Sequence, residues 1–415
     1  MKVLIMGGGG KIGRAVAWDL ASRSEVKTVG IADIRGNKLE EVKAWVNSTK
    51  IRLHPLNRTD QKATRDLMQG YDVAVLTLPD RRSSYKAIEA AIEAGTNLVD
   101  ILEEYHRRPD TEETEGLELP PGMIHEQYGE WLHESAIQKG VTILDGMGFE
   151  PGISNITLGQ GIRLMDRVES ATVRVGGIPS KETAKKRPLK YVITWHFDHV
   201  LREYMLEKVA VVKNGQVVHV EATSERESFE FTEFCRNEEL EAAIISGMPS
   251  IVYTRPDLVN FAAKTIRWPG HWQAIADLKE CGLLDLDPIK FNGQQIVPRE
   301  FLLTLIEPKL RKQSGDTDAC VMWNTVNGVK DGQSMRADYY MWDEEDADKG
   351  LTSMARVTGF TAAAGAVMLG RGEISQKGIV PPEDCIEDQL YERLKEELEQ
   401  RNIEIKEKIT LNFVP

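Results

Sequence analysis

The sequence is poor in cysteine. Only Cys235, Cys281, Cys320 and Cys385 occur in 415 residues, widely spread, with no CxxC pair and no histidine at matching spacing. This argues against a disulfide framework or a zinc site, and the reduced thiols of a cytoplasm are the expectation. Long apolar runs are also missing. No stretch approaches the ~18 apolar residues of a membrane helix, so no membrane span is expected. The opening MKVLIM is too short for the apolar core of a secretory signal, and no cleavage site follows it. Basic residues are outnumbered, 52 against 65 acidic, for a formal net charge of −13. An acidic chain gains little from counterion release, which argues against a nucleic-acid partner. There is no repeat of fixed period and no low-complexity tract. What remains is an ordinary globular composition, 41% hydrophobic and 28% charged, in a chain long enough for two or three domains.

The first hundred residues alternate two patterns. Short apolar runs at Val3–Met6, Val29–Ala32, Ile51–Pro55, Val73–Leu78 and Asn97–Val99 read as buried strands. Between them, Ile12–Ala21, Leu39–Val46, Lys62–Met68 and Tyr85–Ala94 carry apolar residues at helical spacing. Repeated βα units imply a doubly wound parallel sheet with helices on both faces, a Rossmann domain over residues 1–150. An acidic, loop-like stretch over about 104–128 interrupts it, reading as a lid or a surface insertion. A helix over Gly129–Lys139 and a sixth strand at Val141–Leu144 then follow.

After Pro151-Gly152 the rhythm changes. Strand-like runs at Ser170–Val175, Tyr191–Thr194, Ala210–Val212, Val217–Val220 and Lys264–Arg267 suggest an α+β domain with a mixed or antiparallel sheet over 151–350. Val321–Val329 and Ser334–Met341 flank Lys330-Asp331-Gly332, and Asp-Gly is a strong hairpin signal. Residues 351–383 hold a small-residue apolar helix, Ser353–Leu369. Residues 384–415 hold a charged helix, Asp388–Arg401, and a tail.

The strongest chemical signal is Gly8-Gly9-Gly10-Lys11-Ile12-Gly13, which fits G-x-G-x-x-G between a predicted strand and a predicted helix. Gly8 is expected to make the tight turn, Gly10 to let the backbone approach a pyrophosphate, and Gly13 to let helix and strand close. The phosphates then meet free N–H groups at the helix N-terminus, with Lys11 and Ile12 in its first turn. Asp33, about 20 residues on, is placed to accept from both ribose hydroxyls. It favours NAD, while Arg35, beyond Ile34, offers a cation to a 2′-phosphate, so NADP stays open. Thr59-Asp60 and Leu78-Pro79 end the third and fourth strands, where ligands of open α/β sheets bind. They also fit simple turn chemistry.

Asp100, Glu104, Tyr105 and His106 follow the fifth strand. Asp145, Gly148 and Pro151 follow the sixth. Both groups are expected at the nicotinamide end, where acids accept a proton or hold an ammonium group. Singly, each also fits a cap or a solvated loop. Arg267 is a candidate carboxylate clamp, and His271 a candidate for substrate binding or proton transfer. Trp195-His196-Phe197-Asp198-His199 pairs two histidines without a third ligand at metal spacing, so no metal is expected.

These residues resemble the saccharopine dehydrogenase-like family, and within it the lysine 6-dehydrogenase branch. The resemblance runs through the Gly8–Gly13 loop, Asn97–Asp100, Gly148–Gly152, Val175–Pro179, Thr265–His271, Ser353–Phe360, Gly370–Gly372 and Gly378–Glu383. It departs at Ile101–His106, where that branch has a Gly-Gly-His stretch, and at Thr194-Trp195-His196, where relatives have Ser-Trp-Ser. The resemblance implies a helix Ser353–Leu369 returning to the Rossmann domain, and a homodimer. It also implies NAD(P)-dependent oxidation or reduction of a C–N bond in a small amino-acid substrate, by deamination of a side-chain amine. The alternatives are a reductase condensing an amine with an aldehyde, or a non-catalytic NAD(H)-responsive binding protein.

Overall fold

The computed structural model describes residues 1–111, 114–194 and 197–412. They fold as two compact units. The first comprises residues 1–160, 248–254 and 355–403; the second comprises 161–247, 255–354 and 404–415.

The first unit is built on strands β1 (Lys2–Met6), β2 (Thr28–Asp33), β3 (Ile51–Pro55), β4 (Val73–Leu76), β5 (Asn97–Asp100) and β6 (Thr142–Asp145). Helices α1 (Lys11–Ser22), α2 (Gly36–Val46), α3 (Gln61–Met68), α4 (Arg81–Ala94) and α5 (His125–Lys139) connect them. The order 6-5-4-1-2-3, parallel throughout, is the doubly wound arrangement expected from the sequence. Both faces are covered, so Val3, Leu4, Ile5, Val73, Ala74 and Val75 are wholly buried. Each of the valine, leucine and isoleucine side chains contributes roughly 1.5–3 kcal/mol by leaving water, and Ala74 less.

A seventh parallel strand, Gly378–Val380, pairs with β6 and was not anticipated. Three residues are too few to show a period. The apolar helix Ser353–Gly370 sends its 355–370 segment back to this unit, where Phe360 stacks on Trp18 at 5.7 Å between ring centroids. The charged helix Asp388–Glu399 also belongs here, with Glu397 paired to Arg23.

The loop after β5 is shorter than the sequence reading had it, because α5 begins at His125 rather than Gly129. The Ile124 N–H donates to the Gln127 side chain at 3.1 Å and starts the helix. Gly129 is not a breaker but a contact point. A Cβ there would meet the carbonyl oxygens of His106 and Arg107 at 2.6 and 2.7 Å.

The second unit holds a mixed nine-stranded sheet. Its central strand β7 (Arg167–Pro179) lies parallel to Phe261–Arg267 on one side and antiparallel to Asp318–Lys330 on the other. The Asp-Gly hairpin is there: Asp318–Lys330 pairs with Gln333–Glu344, and Lys330 faces Gln333. Asp331 and Gly332 take φ of 50° and 78°, the primed turn that suits a twisted ribbon. The tail strand Lys406–Leu411 completes that edge.

The predicted strand Tyr191–Thr194 is irregular instead. Its Tyr191 is buried against Phe197 and His271, so packing rather than a ladder fixes it. No described helix is long and apolar enough to cross a membrane.

Candidate active site

In the first unit, the glycine loop joins the end of β1 to the N-terminus of α1. The N–H groups of Gly7 and Gly8 donate to the Ala32 carbonyl at 2.8 and 3.0 Å, tying the loop to β2. The tight turn spans Gly7–Gly10, closed by Gly10 N–H to the Gly7 carbonyl at 3.0 Å, with Gly8 at a central position as the motif suggested and Gly7 taking φ 84° at its entry. Gly8 lies against Ile31, where a Cβ would meet Ile31 Cβ at 2.8 Å. Gly13 keeps its expected place. A Cβ there would sit 2.5 Å from the Gly7 carbonyl oxygen and 2.8 Å from Gly8 Cα. Gly10 is the N-cap of α1, so the N–H groups of Lys11, Ile12 and Gly13 form its open first turn. This is a cradle for a pyrophosphate.

Asp33 ends β2 beside the cradle, and its Oδ2 accepts from Gly9 N–H at 3.2 Å. Arg35 binds the same carboxylate with its backbone N–H and its guanidinium. Burial alone would raise the Asp33 pKa, but Arg35 and the Gly9 N–H hold it below the usual range. Ile34, between them, is exposed. Thr59 and Asp60 are exposed at the end of β3, where Asp60 caps α3 through Ala63 N–H at 2.9 Å. Leu78 is buried in the core while Pro79 is exposed, both just after β4. Gly148 and Pro151 form a turn closed by Gly148 N–H to Pro151 O at 2.9 Å, close to Thr358 of the returning helix.

Asp100, Glu104, His106 and Asp145 come together at the carboxyl ends of β5 and β6. His106 is the hub. Its Nδ1 lies 2.6 Å from Asp145 Oδ1 and its Nε2 2.9 Å from Ser84 Oγ, and Ser84 donates in turn to Asp100. Burial opposes the imidazolium, but Asp145, Asp100 and Glu104 outweigh it and push His106 up to about 9. Glu104 accepts from Tyr85 Oη at 2.7 Å and Arg81 Nε at 2.8 Å. Burial raises the pKa of both Asp100 and Glu104. All four are nearly inaccessible, at 4% exposure or less. They therefore face one another and pin the loop after β5.

Arg81, Ser84 and Tyr85 escaped the sequence reading. The trace available was their position on the first two turns of α4, just after the end of β4.

In the second unit the structure brings Arg267 and His271 together. Arg267 Nε donates to Tyr204 Oη at 3.0 Å, and Nη1 donates to the carbonyls of Ile266 and Gly177 at 2.9 and 3.5 Å. Its charge lies over the rings of Tyr191, Trp272 and Tyr204, at 5.3, 5.8 and 6.0 Å. It forms no ion pair with a carboxylate among the described residues. Burial and the neighbouring Arg267 push His271 down to about 3. Tyr204, 63 residues before Arg267, had no local signal to reveal it. Trp195 and His196 of the histidine pair lie outside the described residues, and His199 pairs with Glu203 at 2.8 Å.

A parallel sheet with a glycine cradle and an acid at the end of β2 defines a dinucleotide-binding domain of the kind found in nicotinamide-dependent dehydrogenases. Residues 3–144 match the family model described as the saccharopine dehydrogenase NADP binding domain, and residues 148–403 match the saccharopine dehydrogenase C-terminal domain. The chain belongs to the saccharopine dehydrogenase family.

Among its relatives, the carboxyaminopropylagmatine dehydrogenase of Synechocystis sp. is 24% identical over 418 residues, 95% of each chain. An alpha-aminoadipic semialdehyde synthase of Arabidopsis thaliana is 28% identical over 166 residues, 37% of this chain and 15% of that one. The fold matches that of apo saccharopine dehydrogenase (L-Glu forming) from Saccharomyces cerevisiae, with TM-score 0.76, 18% identity and 99% of both chains covered.

Proposed function

We propose that this protein oxidises and re-forms the C–N bond of a secondary amine that carries an amino-acid carboxylate. In the reverse direction it joins an amine to a carbonyl partner. The observation that carries this reading is Arg267, a buried guanidinium with no carboxylate ion-pair partner among the described residues. The Glu203 carboxylate acts on it without touching it, and a buried guanidinium lacking a hydrogen-bonded carboxylate is costly, a cost that a substrate carboxylate relieves. The Synechocystis relative, whose name describes a carboxyaminopropyl group on agmatine, supports a substrate of two joined parts.

The cradle around Gly8, Gly10, Lys11, Ile12 and Gly13 holds the pyrophosphate, and Asp33 the ribose, with NAD preferred over NADP. The nicotinamide, when bound, accepts or supplies the hydride. Asp100, Glu104, His106 and Asp145 hold the loop after β5 in shape rather than touching substrate, since they are buried and mutually bonded. The second reading is a lysine 6-dehydrogenase, in which the bond oxidised is that of lysine's own side-chain amine. The overall resemblance read from the sequence is what suggests it. A cytoplasmic homodimer is the assembly proposed with either reading, and light scattering reads it as twice the chain mass.

The test follows NAD(P)H absorbance in both directions, with NAD and NADP in parallel. Reduction of NAD by saccharopine-like secondary amines, with oxidation of NADH only when amine and carbonyl are supplied together, is the expected result. Reduction of NAD by L-lysine alone establishes the second reading instead. Cofactor binding without turnover of any amino acid overturns both.

A further inference from the structure

Arg267 is held from behind by a chain of three groups in the second unit. Tyr204 Oη lies 3.0 Å from Arg267 Nε and 3.2 Å from His271 Nε2, and His271 Nδ1 lies 2.7 Å from the Leu189 carbonyl oxygen. The direction of these bonds follows from elementary chemistry. A carbonyl only accepts, so Nδ1 carries the His271 proton and Nε2 presents a lone pair. Burial keeps the ring neutral, which fits that tautomer. The Tyr204 O–H must then donate to Nε2. That turns a lone pair of Oη toward Arg267 Nε, which has a proton to give.

With Nε committed to Tyr204 and Nη1 committed to two backbone carbonyls, Nη2 makes no hydrogen bond among the described residues. The aromatic faces of Tyr191 and Trp272 limit sideways movement of the guanidinium plane.

We infer that Tyr204 and His271 are positioning residues, which fix the rotation of the Arg267 guanidinium so that Nη2 is presented to a substrate carboxylate. The inference rests on the carboxylate-binding role proposed above for Arg267. It assigns His271 no part in proton transfer. A neutral ring with both nitrogens occupied works as an orienting strut. Tyr204→Phe keeps the ring packing and removes the acceptor, freeing rotation at Nε. His271→Asn keeps a donor for the Leu189 carbonyl and removes the acceptor that orients the Tyr204 hydroxyl.

The experiment uses the full chain loaded with NAD. Tryptophan fluorescence reports binding of L-lysine, L-ornithine and saccharopine, with cadaverine and putrescine as carboxylate-free controls, and initial rates are measured on whichever probes turn over. Tyr204→Phe is expected to weaken binding of the amino acids about tenfold or more. His271→Asn is expected to do the same to a lesser degree. Neither change should alter the affinity for the plain diamines or for NAD, and kcat should move far less than KM.

Arg267→Ala separates the two ideas. If it weakens amino-acid binding while Tyr204→Phe and His271→Asn leave it unchanged, the positioning inference is overturned and the clamp stands. If Arg267→Ala itself has no effect, or the parent binds none of the carboxylates, the clamp reading falls and takes the inference with it. If the variants weaken binding of diamines and amino acids alike, the role is general packing and the inference is overturned.

Discussion

His106 is tied to Asp145 twice, by its backbone N–H to Oδ2 at 3.0 Å and by its ring Nδ1 to Oδ1 at 2.6 Å. The loop after β5 is thereby fastened to the end of β6, and the imidazole pKa rises to about 9 despite burial. This value lies above the ordinary ~6.5 of an unfolded chain, so the folded state holds the proton more tightly. The associated stabilisation is complete below about pH 6.5 and is lost as pH rises through about 9. Urea unfolding at about pH 7 and about pH 9 should show the parent losing stability at the higher pH. His106→Asn should flatten that slope and cost about 3–5 kcal/mol at neutral pH, because Asp145 loses its buried counter-charge. A parent midpoint that does not move with pH would refute the assignment.

The Asp33 carboxylate is already fully used. Oδ1 accepts from Arg35 N–H and Nε, both at 3.0 Å, and Oδ2 accepts from Arg35 Nη2 at 3.0 Å and Gly9 N–H at 3.2 Å. A ribose must therefore displace Arg35 from Asp33, whereas a 2′-phosphate would recruit it. Arg35→Ala is expected to lower or leave unchanged the KM for NAD and to raise the KM for NADP about tenfold. Asp33→Ala should do the opposite for NAD. Initial rates with the two cofactors decide it. An equal change for both in Arg35→Ala removes Arg35 from cofactor choice.

The parts of this protein that the sequence made legible are those with short-range causes. The βα rhythm of residues 1–100, the glycine cradle and Asp33 can each be read within a few residues of their own positions. So can the hairpin at Asp331-Gly332. What stayed hidden depends on distant partners. The strand Gly378–Val380 finds β6 from across more than half the chain, and its three residues carry no period. Tyr191–Thr194 has strand-like composition, but the burial of Tyr191 against His271 decides its form. The acids after β5 and β6 were visible as candidates. That they bond to one another through His106 and Ser84 could not be seen, because Ser84 lies 22 residues before His106.

The hairpin turn offers a local test of how strongly two residues set a register. Lys330 pairs with Gln333, leaving only Asp331 and Gly332 to reverse the chain, both with positive φ. Gly332→Ala places a Cβ at φ 78° and should destabilise the second unit by about 1–2 kcal/mol. Asp331→Asn should be nearly neutral, since Asn accepts the same conformation. Thermal unfolding of both variants measures the contrast. Equal losses would mean that cross-strand packing, not the turn, holds the ribbon.

Gly13 offers the sharpest test of the cofactor cradle. A Cβ there would lie 2.5 Å from the Gly7 carbonyl oxygen, 2.8 Å from Gly8 Cα and 2.9 Å from Thr77 Oγ1. Two of these three neighbours are backbone, and Thr77 is itself held by its Oγ1 donating to the Met6 carbonyl at 2.9 Å. Nothing nearby is a flexible chain end that yields cheaply, so the first turn of α1 must move away from β1. That movement carries the N–H groups of Lys11 and Ile12 with it, and a pyrophosphate depends on their positions. Gly13→Ala is therefore expected to weaken NAD(H) binding at least tenfold, about 1.4 kcal/mol. The second unit should keep its fold, because the substitution lies wholly within the first. Titration of NADH fluorescence gives the affinity, and circular dichroism verifies that the variant is folded. Parent-like affinity in a folded variant would mean that the phosphates bind elsewhere than this loop.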